Sequence, residues 1–349
     1  METAANVHFV SVRIGLLICL VGVILGLTPG CNSHSQSLQP FLASCKTDAQ
    51  ISENDLTAVD KVAIDFVQNA LGPNPEAAYL MFTADGKLHV SSENFVTMFK
   101  QGIQRNGPFQ DLRAAHTYLP QVTGGTQEQR VVCGNLGGLE SWVAVNAKPG
   151  QLSAYVIVEA QTLNNTWAFV TWLLREQGDW HVQHIQATIT AMVGKTAQDL
   201  RRMAYSEMQE GHNFNAYILY AAASQLAARG PFLQLGIQPE IQKSLQALKP
   251  PTVLQGQPPF NWELGRLSFK VLNVGPIGVS KNIYLKIDYE IEPWATDKDA
   301  DKKNQELISA FSDSYAEYKH AFAGLVVTAH ERGGMRGYGT VLENDAVAK

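Results

Sequence analysis

The sequence predicts an α+β protein: N-terminal helices with an antiparallel sheet, a helical hairpin linker, and a small C-terminal ββαβ domain. Three observations carry this. Apolar residues recur at helical spacing over residues 52–105. Six short strand-like runs separated by turn chemistry follow. Beyond residue 196 the pattern turns helical, and a doubled proline at 250–251 opens a last region of strands around one helix.

Residues 52–71 form the first helix. Ser52 and Asp55 make an acidic capping box, Leu56, Val59, Ala63, Phe66 and Ala70 keep helical spacing, and Gly72-Pro73 stops the run. A short helix over Pro75–Phe82 precedes an Asp85-Gly86 turn. A third runs from Ser92 to Arg105, with Phe95, Met98 and Phe99 on one face, before Asn106-Gly107-Pro108.

The strands fall at Leu112–Leu119, Gln129–Cys133, Ser141–Ala147, Ser153–Leu163, Trp167–Arg175 and Trp180–Thr190. Gly124-Gly125, Lys148-Pro149-Gly150, Asn164-Asn165 and Gln177-Gly178-Asp179 break them. In the fourth, Ala154, Val156, Val158 and Ala160 share a face, which predicts a sheet with one well-packed side. Helices followed by a long meander resemble the cone-shaped nuclear transport factor 2-like superfamily and its cystatin-like relatives. The hairpin from Trp172 to Val182, with Gly178-Asp179-Trp180 opening its second strand, looks like that superfamily's last two strands. The resemblance covers residues 52–190. It implies a curved, cone-like sheet whose aromatic residues line a cavity for a small ligand.

Residues 196–250 read as a helical hairpin. Gly211, Ala216, Tyr220 and Ala223 keep the spacing of one tetratricopeptide unit, whose small residues let two helices approach closely, although Glu207 stands where that family has an aromatic residue. One unit cannot make a solenoid, so this segment reads as a connection between domains. In the last region, Trp262–Val274 and Ile283–Ile291 are strands, the latter with Ile283, Leu285, Ile287, Tyr289 and Ile291 inward. A helix starts at Thr296 and Asp299, carries Leu307, Ile308, Phe311, Tyr315, Phe322, Leu325 and Val326, and runs to about Arg332. Gly333-Gly334 ends it, and Gly337–Leu342 is a final strand.

The amino terminus reads as an export signal. Arg13 precedes an unbroken apolar block, Ile14–Leu27, too short for a standard membrane span of about 20 residues. Thr28-Pro29-Gly30-Cys31 then resembles the cleavage box of bacterial lipoproteins, in which the cysteine becomes the lipidated first residue. A cleaved soluble protein and an uncleaved anchor are the other readings, the second because Phe9–Leu27 is nearly apolar apart from Arg13. The resulting partition is a signal peptide over 1–30, a flexible Ser-rich tether over 31–50, a cone-like domain over 51–195, the hairpin over 196–250 and the ββαβ domain over 255–349. Export would place the chain in the cell envelope, held to the membrane through a lipid or anchor. Cys19 leaves with the signal, so Cys45 and Cys133 remain, either to pair in an oxidising compartment or to pack as two separate buried thiols.

Composition excludes some partners. The 349 residues are 45% apolar and 17% charged, with a formal net charge of −5 that loss of Glu2 and Arg13 leaves unchanged. Without clustered Lys and Arg, nucleic acid is not an expected partner. Candidate chemistry is sparse. His330-Glu331 lacks the second histidine of a zinc protease, since residue 334 is Gly, and reads as a polar helix end. Gly333–Gly339 follows a helix end rather than preceding a helix, which disfavours phosphate, yet Arg332, Arg336 and Tyr338 are placed to converge on an anionic group. Lys286, Asp288, Glu290 and Glu292 read as a solvated strand face. Trp172, Trp180 and His184 are candidate cavity residues, His184 sharing a face with Trp180 and Val182. No catalytic residue, metal ligand or cofactor is assigned. The expected function is a non-catalytic binding or assembly module, for a protein partner or a small apolar ligand. The alternatives are an enzyme working in the first domain's cavity and a scaffold gripping a partner through the helical hairpin.

Overall fold

The computed structural model describes residues 42–135 and 142–344. The expected export signal, the lipidation candidate Cys31 and the expected tether up to residue 41 lie outside them. The chain is α+β. It opens with β1 (Leu42–Thr47), α1 (Glu53–Leu71), α2 (Pro75–Leu80), α3 (Gly86–His89) and α4 (Ser92–Asn106). Strands β2 (Gln110–Thr123), β3 (Gln129–Asn135), β4 (Trp142–Ala147), β5 (Ser153–Gln161), β6 (Asn165–Glu176), β7 (Asp179–Met192) and β8 (Lys195–Thr196) follow. The middle region holds α5 (Ala197–Gln209), α6 (Asn213–Ala227), β9 (Leu233–Leu235) and α7 (Ile237–Leu248). The chain closes with β10 (Phe260–Leu264), β11 (Leu267–Val279), β12 (Asn282–Ile291), α8 (Asp297–Ser314), α9 (Tyr318–Ala321), β13 (Gly324–Glu331) and β14 (Gly337–Glu343).

Three sheets result, in the orders β1-β2-β5-β6-β7-β8, β3-β4-β9 and β10-β11-β12-β13-β14. The first is antiparallel and curved. Its β1 falls inside the expected tether: residues 42–47 pair along β2 from Thr123 to Tyr118, so the folded part begins earlier than the Ser-rich composition suggests. Helix α1 starts where its cap predicts, with the Ser52 hydroxyl accepting from the Asp55 amide. Helices α1, α2 and α4 cover one face of the curved sheet, where Val59, Phe66, Phe95, Val156, Phe169 and Leu173 form a core.

The other face is also buried, which corrects the one-sided expectation for β5. Sheet β3-β4-β9 lies against it, so Tyr155, Ile157, Val170 and Trp172 pack on Val131, Val143, Val145 and Leu233. A disulfide between Cys45 on β1 and Cys133 on β3 joins the two sheets at their edge.

The middle region is not a free-standing linker. β9 completes the small sheet by pairing with Val143–Val145. Helices α5–α7 share one core with the last sheet and α8: Leu200, Phe214, Leu219, Leu226 and Ile241 pack with Trp262, Leu285, Tyr289, Phe311 and Val327.

The last region departs from its sequence reading in two places. The expected strand 262–274 bends at Gly265-Arg266 into the hairpin β10–β11. The expected helix to Arg332 stops at Ser314, and residues 324–331 form β13, parallel to β12. Leu325, Val327 and Ala329 alternate into the core, a strand period that the single Leu325-Val326 step of a helical stripe conceals. A parallel pair needs a long crossover, and α8 supplies it, its N-terminus fixed by Thr296 and Asp299 as the capping pattern predicts. Gly333-Gly334 is therefore a strand-to-strand turn, and His330 a strand residue rather than a helix end.

Strand pairing also explains the charged face of β12. His330 Nε2 lies 3.1 Å and Lys286 Nζ 2.9 Å from the buried Asp288 carboxylate. Burial pushes the Asp288 carboxyl up, but the His330 hydrogen bond and the Lys286 charge outweigh it, and the group ends below its ordinary 3.8. A depressed folded-state pKa stabilises above the unfolded value and stops doing so as pH falls through the folded one. Asp288→Asn is thus expected to cost about 2 kcal/mol at neutral pH. Urea unfolding should show that difference shrinking as pH falls below the ordinary carboxyl value of 3.8. A constant difference would exclude the ion pair as its source.

Candidate functional site

An apolar cavity opens on the helix-covered face of the curved sheet. It has a volume of about 220 Å³, and its walls include Leu71, Phe99, Ile103, Phe109, Phe169 and Ile185. Leu71 ends α1, Phe99 and Ile103 come from α4, and Phe109 enters from the connection to β2. Phe169 and Ile185 stand on the adjacent strands β6 and β7. Phe109 is set edge-on to Phe169 at 5.6 Å and to Trp167 at 5.7 Å, which fixes that wall. Met98 forms part of the rim with 54% of its surface exposed.

Gly102 leaves the cavity open. A Cβ placed there meets nothing within 4 Å, so the α4 wall has space where a side chain would stand. None of the lining residues is ionisable, and Gln186 is the sole polar side chain among them. An apolar cavity of roughly 150 Å³ is enough for a benzene molecule. This one fits a single ring or a short alkyl chain.

No known family, curated protein or solved structure matches this chain. The geometry of the residues themselves therefore carries the functional reading.

The candidates singled out from sequence are dispersed. Trp180 packs against the helix-side core, whereas Trp172 belongs to the opposite face. His184 goes with Trp172 rather than with Trp180 and Val182. Val182 pairs with Leu173 and His184 with Trp172, leaving Gln183 as the extra residue of a bulge that reverses the strand's parity. Gln183 earns this irregularity: buried, it accepts from Thr83 Oγ1 and donates to Asp85, both at 2.6 Å.

Beyond the bulge, His184 and Trp172 close around Phe232, at 5.0 and 4.7 Å between ring centres, and Tyr155 stacks on Trp172. Burial lowers the His184 pKa, with His89 adding to the effect, so the imidazole is neutral at pH 7. This is an aromatic plug between sheets, not the wall of the cavity.

Arg332, Arg336 and Tyr338 do not converge on an open anion site. Arg332 donates to Glu290 at 2.8 Å and to Glu292. The Arg332 hydrogen bond in turn holds the Glu290 carboxyl below its usual range, with Lys270 adding to it. Arg336 covers the Trp294 ring at 4.8 Å, donates to the Trp294 carbonyl and faces Asp297 at 3.7 Å. Tyr338 gives its carbonyl to Asn304. These groups hold the β12–α8 connection against β13–β14, with their charge already compensated.

Sequence reading missed Leu71, Ile103, Phe109 and Ile185 as cavity residues. Each fits an ordinary core pattern, and they meet only through the packing of α1 and α4 across the sheet.

Proposed function

We propose that the chain is an exported, membrane-tethered envelope protein, and that it works as a non-catalytic binding module holding a small apolar ligand on the helix side of its first sheet. The observation that carries this reading is the open cavity beside Gly102, walled by aromatic and aliphatic side chains. Specific apolar pockets bind by removing ligand surface from water, and a single polar group suffices to orient the ligand. General acid–base catalysis needs a titratable group within reach of the substrate. No ionisable side chain lines this cavity, which favours binding over the enzyme alternative. The scaffold alternative needs a free apolar face on the helical hairpin, and that face is spent on the core shared with the last sheet. The apolar leader before Cys31, together with the Cys45–Cys133 disulfide, supports the envelope location.

Gly102→Leu tests the binding reading. It adds a side chain where there is space and improves helix propensity, so the fold keeps or slightly gains stability. Binding of toluene, read by saturation-transfer NMR and competed by benzene, is expected to weaken by roughly tenfold or more in the variant. Equal binding by both proteins would overturn the proposal. Native mass spectrometry of the protein from its own membrane tests the location, with an expected mature chain starting at a lipidated Cys31. A chain retaining Met1 and two reduced thiols would overturn it.

A further inference from the structure

We propose that Glu210, His212 and His320 form a binding site for one divalent transition-metal ion of the zinc class. The site lies away from the apolar cavity, where the turn between α5 and α6 meets α9. Gly211, with φ of +84°, makes that turn tight enough to set Glu210 and His212 side by side. α9 brings His320 across from a distant part of the chain. Its approach is fixed by the buried Asn215, whose amide donates to the Glu317 carbonyl at 2.6 Å, and by the fully buried Tyr318.

One ligand atom from each of Glu210, His212 and His320 can be chosen so that all lie within 4.8 Å of one another. The two imidazoles stack at 4.5 Å with 23° between their planes. Nitrogen and oxygen ligands around zinc sit about 2.0–2.2 Å from the ion. Side-chain rotations that shorten these separations would close the group onto a single centre.

A fourth residue prepares the site. The buried Glu207 carboxylate lies 3.0 Å from His212 Nδ1 and accepts from Asn215 at 2.7 Å. A carboxylate only accepts, so the Glu207 contact puts a proton on Nδ1. That same nitrogen stands 3.7 Å from Glu210, and a turn of the ring would present Nε2 to the ion. A carboxylate behind a histidine is the usual outer-shell arrangement at zinc. The local charge fits as well: two carboxylates beside two imidazoles favour a dication. Two nitrogen ligands select zinc, cobalt, nickel or copper over calcium and magnesium, which prefer oxygen. Glu210 and His320 are exposed, so water completes the coordination. The bound ion would fasten α9 to the α5–α6 turn.

The test uses the tag-free full chain stripped with a chelator. Isothermal titration with zinc chloride is expected to show one ion per chain, with no heat from calcium chloride. His320→Ala and His212→Ala should each weaken zinc binding by roughly tenfold or more. His320 is exposed, so its removal leaves the fold intact. Cobalt(II) titration gives an independent readout: visible absorption bands of a low-coordinate nitrogen–oxygen site, lost in His320→Ala. Absence of zinc heat at about 100 μM, or zinc affinity unchanged in His320→Ala, would overturn the site.

Discussion

Replacing Cys45 and Cys133 by alanine is expected to lower the unfolding free energy by about 4 kcal/mol. The bridge spans a sequence separation of 88 residues. Constraining a loop of that length in the unfolded chain accounts for about 4–5 kcal/mol in the chain-entropy view, and measured losses run about 2–5 kcal/mol. The effect should be localised as well as large. The bridge joins the edge strand of the curved sheet to the small sheet that covers its second face, so its loss frees that cover first. Amide exchange should accelerate in β3 and β4, over Tyr155, Ile157 and Val170, well before it does in α5–α8. Urea unfolding with and without reductant measures the global part, and hydrogen exchange the local part. A midpoint unmoved by reduction would show that the sheet-on-sheet core alone holds the cover in place.

Local signals in the sequence located most elements, because capping and turn chemistry act over a few residues. Ser52, Thr296 and Asp299 start helices where their side chains predict, and the Gly, Asn and Pro clusters break the meander into its strands. Pairing of Cys45 with Cys133 is one of the two readings the cysteine count allows, and the structure closes it. Failures arise where non-local pairing decides. β9 is three residues long and has no period to read; it is a strand because Val143–Val145 lies beside it. Residues 324–331 carry apolar side chains at spacings compatible with either period, and a place beside β12 selects the strand. The second apolar face of β5 was visible in Tyr155 and Ile157, but what covers it comes from elsewhere in the chain. His184 changed sides through one inserted residue, a shift invisible without the partner strand. The metal-site candidate hides for the same reason: Glu210 and His212 are neighbours, and the third ligand arrives on another helix.

Trp262→Ala tests the claim that the helical hairpin and the last sheet are one structure. Trp262 is fully buried on β10, stacks on Phe311 of α8 at 5.7 Å, and donates its indole N–H to the Val253 carbonyl at 2.6 Å. Phe311 in turn touches Phe214 of α6 at 5.7 Å between ring centres. Truncation leaves a cavity costing about 3–5 kcal/mol. It also strands the Val253 carbonyl, worth about 1 kcal/mol or more if water cannot reach it. Trp262→Phe should lose about half as much, since most of the ring volume stays. Met335→Ala, at a side chain 84% exposed, is the control and should change stability by less than about 0.5 kcal/mol. Because the hairpin helices pack on the same core, the loss should weaken α5–α7 together with the sheet. Amide exchange in α6 is then expected to rise in step with that in β11 and β12. If α6 kept its protection while the sheet lost it, the hairpin would be an independent unit after all, as the sequence pattern alone suggests.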